Sequence, residues 1–174
     1  MLQDSGLVAG VGERAGISTA REAADDELIV AFGRLQGAAN RLGYILGRAI
    51  EAECGISHLM YEVLLILGRA GDPGLPMRAI AQEQVLSTGG ATRAVDRLEA
   101  AGLVERSPGP GDRRTRLVRL TPLGEQTVVR ASQVHVANIE RYFVDPLPDS
   151  HRKQFAEDLR ILSHTARDLL PRLP

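Results

Sequence analysis

Cysteine, lysine and aromatic residues are scarce in this chain, tryptophan is absent, and no long apolar run occurs. Cys54 stands alone, which excludes an internal disulfide and leaves no thiol partner for a metal cluster. Flanked by Glu51 and Glu53, it reads as a small inert side chain near a helix end rather than a redox sensor. The longest strongly apolar run, Val63 to Leu67, is far short of the roughly 20 residues that span a bilayer. The N-terminus has no basic segment leading into an apolar one, so a cytoplasmic location and no membrane partner are expected. No G-x-S-x-G, G-x-x-x-x-G-K-S/T or H-E-x-x-H occurs, and the histidines have no paired metal-ligand spacing. Neither an enzyme nor a bound cofactor or metal is therefore expected. Lysine occurs once, as Lys153, and a net charge of -1 excludes a simple polycation.

What the chain does have is a local charge imbalance. Residues 1–56 carry five Arg against eight acids, and residues 57–86 two against three. Residues 87–120 carry seven against four, and residues 121–174 seven bases against seven acids. Partners respond to the local field as well as to its sum. The stretch from Ser87 to Leu120, with Arg93, Arg97, Arg106, Arg113, Arg114, Arg116 and Arg119, is thus the basic island of a nearly neutral protein.

Around that island the periodicity predicts helices. Residues 1–22 hold four glycines without a sustained period and read as a flexible tail, in which Ser18 or Thr19 opens a helix with Glu22 at capping-box distance from Thr19. Leu28, Phe32, Leu35, Ala39, Leu42, Ile45, Leu46 and Ala49 recur every three or four residues, which predicts an amphipathic helix ending near Cys54-Gly55. Gly33, Gly37, Gly43 and Gly47 lie inside it, each costing about 1 kcal/mol relative to Ala. Packing must hold such a helix, and a subunit interface is the expected source. Ser57 caps the next helix, with Leu59, Val63, Leu64 and Leu67 inward, and the turn at residues 71–76 stops it. A short helix from Met77 to about Glu83, a turn at residues 84–86 and a helix capped by Ser87 then form a helix-turn-helix. Thr121-Pro122 starts a helix that leads on to Tyr142-Phe143, and after Pro146 and Pro148, Asp149 or Ser150 caps a last one carrying Phe155, Leu159, Leu162, Ala166, Leu169 and Leu170.

On the Ser87 helix, Ala91, Ala94, Val95, Leu98 and Ala101 share one face, and Gly89, Thr92, Arg93 and Asp96 the other. The outward face is small at its start, which lets the backbone approach a DNA groove, and Thr92 and Arg93 follow with hydrogen-bonding groups. Gly102 ends the helix. Leu103-Val104 and Leu117, Val118 and Leu120 supply two short strands, and S-P-G-P-G-D-R-R between them reads as a loop whose Arg113 and Arg114 suit a narrow minor groove. Asp96 is out of place on a face turned to phosphates unless a wing arginine neutralises it.

The runs L-P-M-R-A-I-A-Q, L-S-T-G-G-A-T-R-A-V-D-R-L-E-A-A-G-L-V-E-R and P-G-P-G-D-R-R-T-R-L-V-R-L-T-P-L-G closely resemble the multiple antibiotic resistance regulator (MarR) family of bacterial winged-helix transcription factors. The resemblance covers residues 56–126 strongly and the flanks by helix layout only. It implies a mainly α fold with a small β-hairpin wing, in a homodimer whose terminal helices interlock and whose winged domains grip a palindromic operator. It implies a flexible tail at 1–22, an N-terminal dimerisation helix at 23–55, a winged helix-turn-helix domain at 56–121 and C-terminal dimerisation helices at 122–174. Carried over by position, Ser87, Thr88, Gly90, Thr92, Arg93 and Arg97 meet double-stranded DNA in the major groove or at its phosphates. Asp112 shapes the wing turn, Arg113 and Arg114 serve the wing, and Arg114 pairs with Asp96.

The resemblance also implies a repressor released by a small effector, often an anionic aromatic compound, bound between the dimer helices and the winged domain. Tyr44, Arg48, His58 and Tyr61 are the polar candidates near that junction; Arg48 suits a carboxylate and His58 a response to pH. The competing expectation is a winged-helix module whose arginines face an acidic protein partner, without a ligand.

Overall fold

The computed structural model describes residues 16–83, 88–109 and 112–169, with the side chains of Thr88 and of residues 112–115 outside that set. The chain divides after Gly43 into two compact units. In the first, Thr19 caps α1 (Ala20–Asp25): its hydroxyl accepts from the Glu22 amide at 3.2 Å, and the Glu22 carboxylate accepts from the Thr19 amide at 3.0 Å. That helix does not run on into the long one. Asp26 has an extended backbone, and its Oδ1 accepts from the amides of Leu28 and Ile29 at 3.0 and 3.1 Å, which restarts the chain as α2 (Glu27–Cys54). Leu28, Ile29, Phe32 and Leu35 of α2 are exposed. The predicted tail falls mostly at residues 1–15, outside the described residues.

The second unit is built around α3 (His58–Ala70), capped by Ser57 as the sequence predicts, with Tyr61, Val63, Leu64, Ile66 and Leu67 buried. Leu46 and Ile50 at the end of α2 are also buried. After Gly71 the predicted turn contains a two-residue strand, β1 (Leu75–Pro76), paired with Val118 and Leu117. Gly74 is required there, because its φ of 96° is left-handed and a Cβ would collide with the Val118 carbonyl. Next come α4 (Met77–Glu83), which buries Ile80 and Ala81, and α5 (Thr88–Ala100). The turn between them, with Ser87, lies outside the described residues.

The wing is longer than the sequence predicts. β2 (Val104–Gly109) and β3 (Asp112–Leu120) pair antiparallel through Ser107 and Pro108, so residues expected in a loop are strand. The sheet order is β1-β3-β2, so β2 is an edge strand, the position in a sheet where Pro108 is tolerated. One core cluster joins Ile50, Leu64 and Leu67 to Ile80, Val95, Leu98, Val104 and Val118. Each such side chain contributes about 1.5–3 kcal/mol on full burial.

Thr121 caps α6 (Pro122–Ile139) and ties its start to the end of α5. Its hydroxyl accepts from the Gly124 amide at 3.0 Å and donates to the Gly102 carbonyl at 2.7 Å, while its amide donates to the Leu103 carbonyl at 3.1 Å. A π-helical turn, Glu140–Val144, leads to α7 (Asp149–Leu169), which buries no residue. The Phe143 and Phe155 rings, 5.9 Å apart, and the Arg152 bond to the Leu147 carbonyl at 3.1 Å hold its first turns. Among the described residues no helix is long and apolar enough to cross a membrane.

Candidate nucleic-acid interface

Ala91, Ala94, Val95 and Leu98 bury one face of α5 in the core. Arg93, Asp96 and Arg97 are exposed on the helix, and Gly90 and Thr92 are half-buried. Ala101, expected inward, is exposed, because the helix has already ended: Gly102 takes a φ of 71°, and the Leu103 amide turns back to the Leu98 carbonyl at 2.9 Å. No acid occupies the first turn of α5, so its amide end keeps the positive dipole that attracts anions.

The acids further along are held by a strand residue. The two-residue period of β2 puts Arg106 on the same face as buried Val104, towards α5. Its Nη2 donates to Asp96 Oδ1 at 2.5 Å and its Nη1 to Glu99 Oε2. Asp96 and Glu99 lie one turn apart, so one planar guanidinium serves both. The Arg106 side chain is 23% exposed, against 55% for Asp96. The hydrogen bond to Asp96 most strongly raises the proton affinity of Arg106; burial opposes it, and the charges of Glu99 and Asp96 add to the rise. The clamp therefore stays ionised and reduces two negative charges to one.

Arg114, the partner expected for Asp96, has its side chain outside the described residues. Arg106 is the partner that Asp96 meets among those described, and no role for it was read from sequence. The signal lay in the alternation of β2, which turns Arg106 inward.

On the other face of the hairpin, Glu105 stands opposite Arg119 in register and accepts from its Nε at 2.6 Å. Arg93, Arg97 and Arg116 are exposed and make no ion pair among the described residues. They are left as cations open to a partner, beside a partly neutralised rather than a bare acidic patch. Arg113 belongs to β3 and, like Asp112 and Arg114, has its side chain outside the described residues. Ser87 and the Thr88 side chain are likewise outside.

The sequence profile of the MarR family matches residues 55–115, from the end of α2 into β3. A crystal structure of Sco3205, a MarR family transcriptional regulator from Streptomyces coelicolor in complex with DNA, is similar at a TM-score of 0.72 and 27% identity, over 88% of this chain and 94% of that one. The matched segment and the fold are those of MarR family regulators. CouR from Rhodococcus jostii RHA1, bound to p-coumaroyl-CoA, is similar at a TM-score of 0.62 and 27% identity, over 79% of this chain and 92% of that one. The HTH-type transcriptional regulator PecS of Dickeya dadantii is 28% identical over 120 residues, 67% of this chain and 72% of that protein. Sco3205 and PecS are transcriptional regulators and not enzymes, which is the reading the sequence predicts for this chain. Its mainly helical fold with a small antiparallel sheet is the winged-helix architecture that the sequence predicts for a MarR protein.

The four residues predicted to meet an effector in this chain do not form one cluster. Tyr44 is 71% exposed, and Arg48 pairs with Glu51 at 2.7 Å, both exposed. His58 and Tyr61 do come together, with ring centroids 6.3 Å apart, and the Tyr61 hydroxyl lies 3.2 Å from Ser132 Oγ. They are joined by His135 of α6, whose ring is 5.1 Å from Tyr61. His135 was missed because it falls within a helix that reads from sequence only as an apolar stripe. A separate, largely apolar groove of about 790 Å³ runs between α3 and α6, lined by Leu65, Gly68, Val128, Val129 and Val136, with Arg69 and Glu140 also at its wall.

Proposed function

We propose that this chain is a MarR-family regulator that binds a palindromic operator as a homodimer, represses transcription there, and is released by a small anionic aromatic ligand. The observation that carries the DNA-contact part is the division of charge on α5. Its two acids are held by Arg106, while Arg93 and Arg97 stay open beside an acid-free amide end. Ser87, Thr88, Gly90, Thr92, Arg93 and Arg97 then read the major groove or its phosphates, and Arg113 and Arg114 take the wing into the minor groove. Two copies are favoured by the exposed apolar residues of α2 and α7. The ligand part rests on the apolar groove with Arg69 at its wall, together with His58 and Tyr61 nearby on α3, and on CouR being bound to p-coumaroyl-CoA. Tyr44 and Arg48 belong to this proposal only if a ligand or partner protomer turns them inward.

The test is binding of the full chain to the DNA upstream of its own gene, by anisotropy at several salt concentrations. The expected result is a preference over random duplex of about 10³-fold or more and a steep loss of affinity with salt, near one unit of slope for each phosphate contact. Arg93→Ala is expected to weaken operator binding by roughly 1–3 kcal/mol if it reads a base, with less effect on random DNA. Equal affinity for operator and random duplex at moderate salt would sink the reading in favour of a protein-binding module. Aromatic acids added to the complex should release the DNA.

A further inference from the structure

Three rings from two helices meet where α3 faces α6. His58 opens α3, Tyr61 follows one turn later, and the His58 and His135 centroids are 5.5 Å apart. The Tyr61 ring meets His135 edge-on, is 3% exposed, and is fixed by its hydroxyl contact with Ser132. Behind His58 lies Gly47 of α2, where even a Cβ would sit 3.2 Å from the His58 Cβ, so there is little room for the imidazole to withdraw that way. His135 Nδ1 is shielded from solvent and has no hydrogen-bond partner among the described residues.

The charged surroundings are few. On α3, Glu62 Oε1 lies 3.9 Å from His58 Nε2. On α2, Arg48 and Glu51 are turned to each other at 2.7 Å. On α6, Arg130 is committed to the Glu53 carbonyl at 2.9 Å. One carboxylate therefore stands by to balance a single positive charge at this contact, and no ion pair to His135 is made among the described residues.

We infer that His58 and His135 form a proton-sensitive latch between α3 and α6, which holds while the rings are neutral and opens when both are charged, weakening DNA binding in mildly acidic conditions. The DNA part rests on the regulator reading above. Two neutral rings pack; two imidazolium ions at this distance repel, with a single acid to screen them. The same α3 packs on α5 in the shared core, so a shift at its start reaches the helix that presents Arg93 and Arg97. Burial, and then the charge of His58, hold the His135 imidazole below its ordinary value of 6.5. The folded chain thus resists a proton that the unfolded chain accepts. Its stabilising effect is complete above pH 6.5 and is lost as pH falls through the lowered folded value.

The test measures affinity of the full chain for its upstream DNA at pH 7.5 and 5.5 at fixed ionic strength, in wild type, His135→Gln and His58→Gln, beside an NMR titration of the histidine rings. Wild type is expected to lose about tenfold in affinity, and both variants to change by about twofold or less. The sign is diagnostic, because a gain of positive charge by itself would tighten binding to phosphates. Unchanged or tighter wild-type binding at pH 5.5, or an equal loss in both variants, overturns the latch. If no duplex binds at pH 7.5, the regulator reading fails separately. The latch then stands if α3 and α6 amide signals titrate with His135 in wild type, and falls if they do not. The same NMR criterion decides if the variants fail to fold.

Discussion

At the scale of single residues, Arg106 of β2 has a structural role that differs from the DNA-reading role proposed for Arg93 and Arg97 of α5. Arg93 and Arg97 have open guanidinium groups, whereas that of Arg106 is turned away from any groove and onto two carboxylates. Both carboxylates are partly exposed, so water already screens much of the attraction and Arg106→Ala should cost only about 1 kcal/mol of folding stability by urea denaturation. Its effect on DNA should be larger, because Asp96 and Glu99 would then face the proposed phosphates uncompensated: more than about tenfold in operator affinity, or about 1.4 kcal/mol. Adding Asp96→Ala to Arg106→Ala should restore part of that loss, since the second change removes what the first exposed. Additive losses in this cycle, with coupling in the matching cycle of Asp96 and Arg114, would transfer the clamp to Arg114.

At the scale of elements, the joint between the end of α5 and the start of α6 links the helix proposed to read DNA to the C-terminal helices proposed to dimerise. Gly124 sits against the Leu103 carbonyl, where a Cβ would collide with backbone rather than with a movable side chain. Gly124→Ala is expected to lower stability by roughly 1–3 kcal/mol, the range for forced overpacking, read as a lower urea midpoint with an unchanged slope. An unchanged midpoint would mean that α6 can shift freely on Leu103. Much of this layout was legible in the sequence. Ser57, Thr121-Pro122 and Gly102 mark helix ends by local chemistry, so α3, α5 and α6 lie where their periodicity predicts. Residues 107–109 and 112–114 were not legible as strand, because Pro and Gly report turn propensity whereas strand pairing depends on a partner elsewhere in the chain. The clamp from Arg106 to α5 and the meeting of His58 with His135 are also tertiary, and sequence spacing alone carries no signal for the second.

At the scale of the whole molecule, the amount of apolar surface left uncovered is the remaining physical problem. Leu28, Ile29, Phe32 and Leu35 on α2 are exposed, with Phe32 at 59%, and Ile161, Leu162 and Leu169 on α7 are exposed as well. Single exposed leucines are ordinary, but rows of them on two long helices are not. A helix of 21 residues that buries none of them within its own chain has little but its first turns to hold it. In the proposed homodimer a second copy of the chain would supply the missing burial, and two linked winged domains would bind two half-sites with an affinity far above that of one. Phe32→Asp and Leu162→Asp place a charge at each of these rows, and each is expected to turn a sedimenting dimer into a monomer. Operator affinity should fall by about 10²-fold or more while binding to random DNA changes little. In wild type the melting temperature should rise with protein concentration, as it must when folding and association are linked. A wild-type chain that sediments as a monomer at micromolar concentration, with a melting temperature independent of concentration, would leave these rows unexplained and remove the dimer from the proposed function.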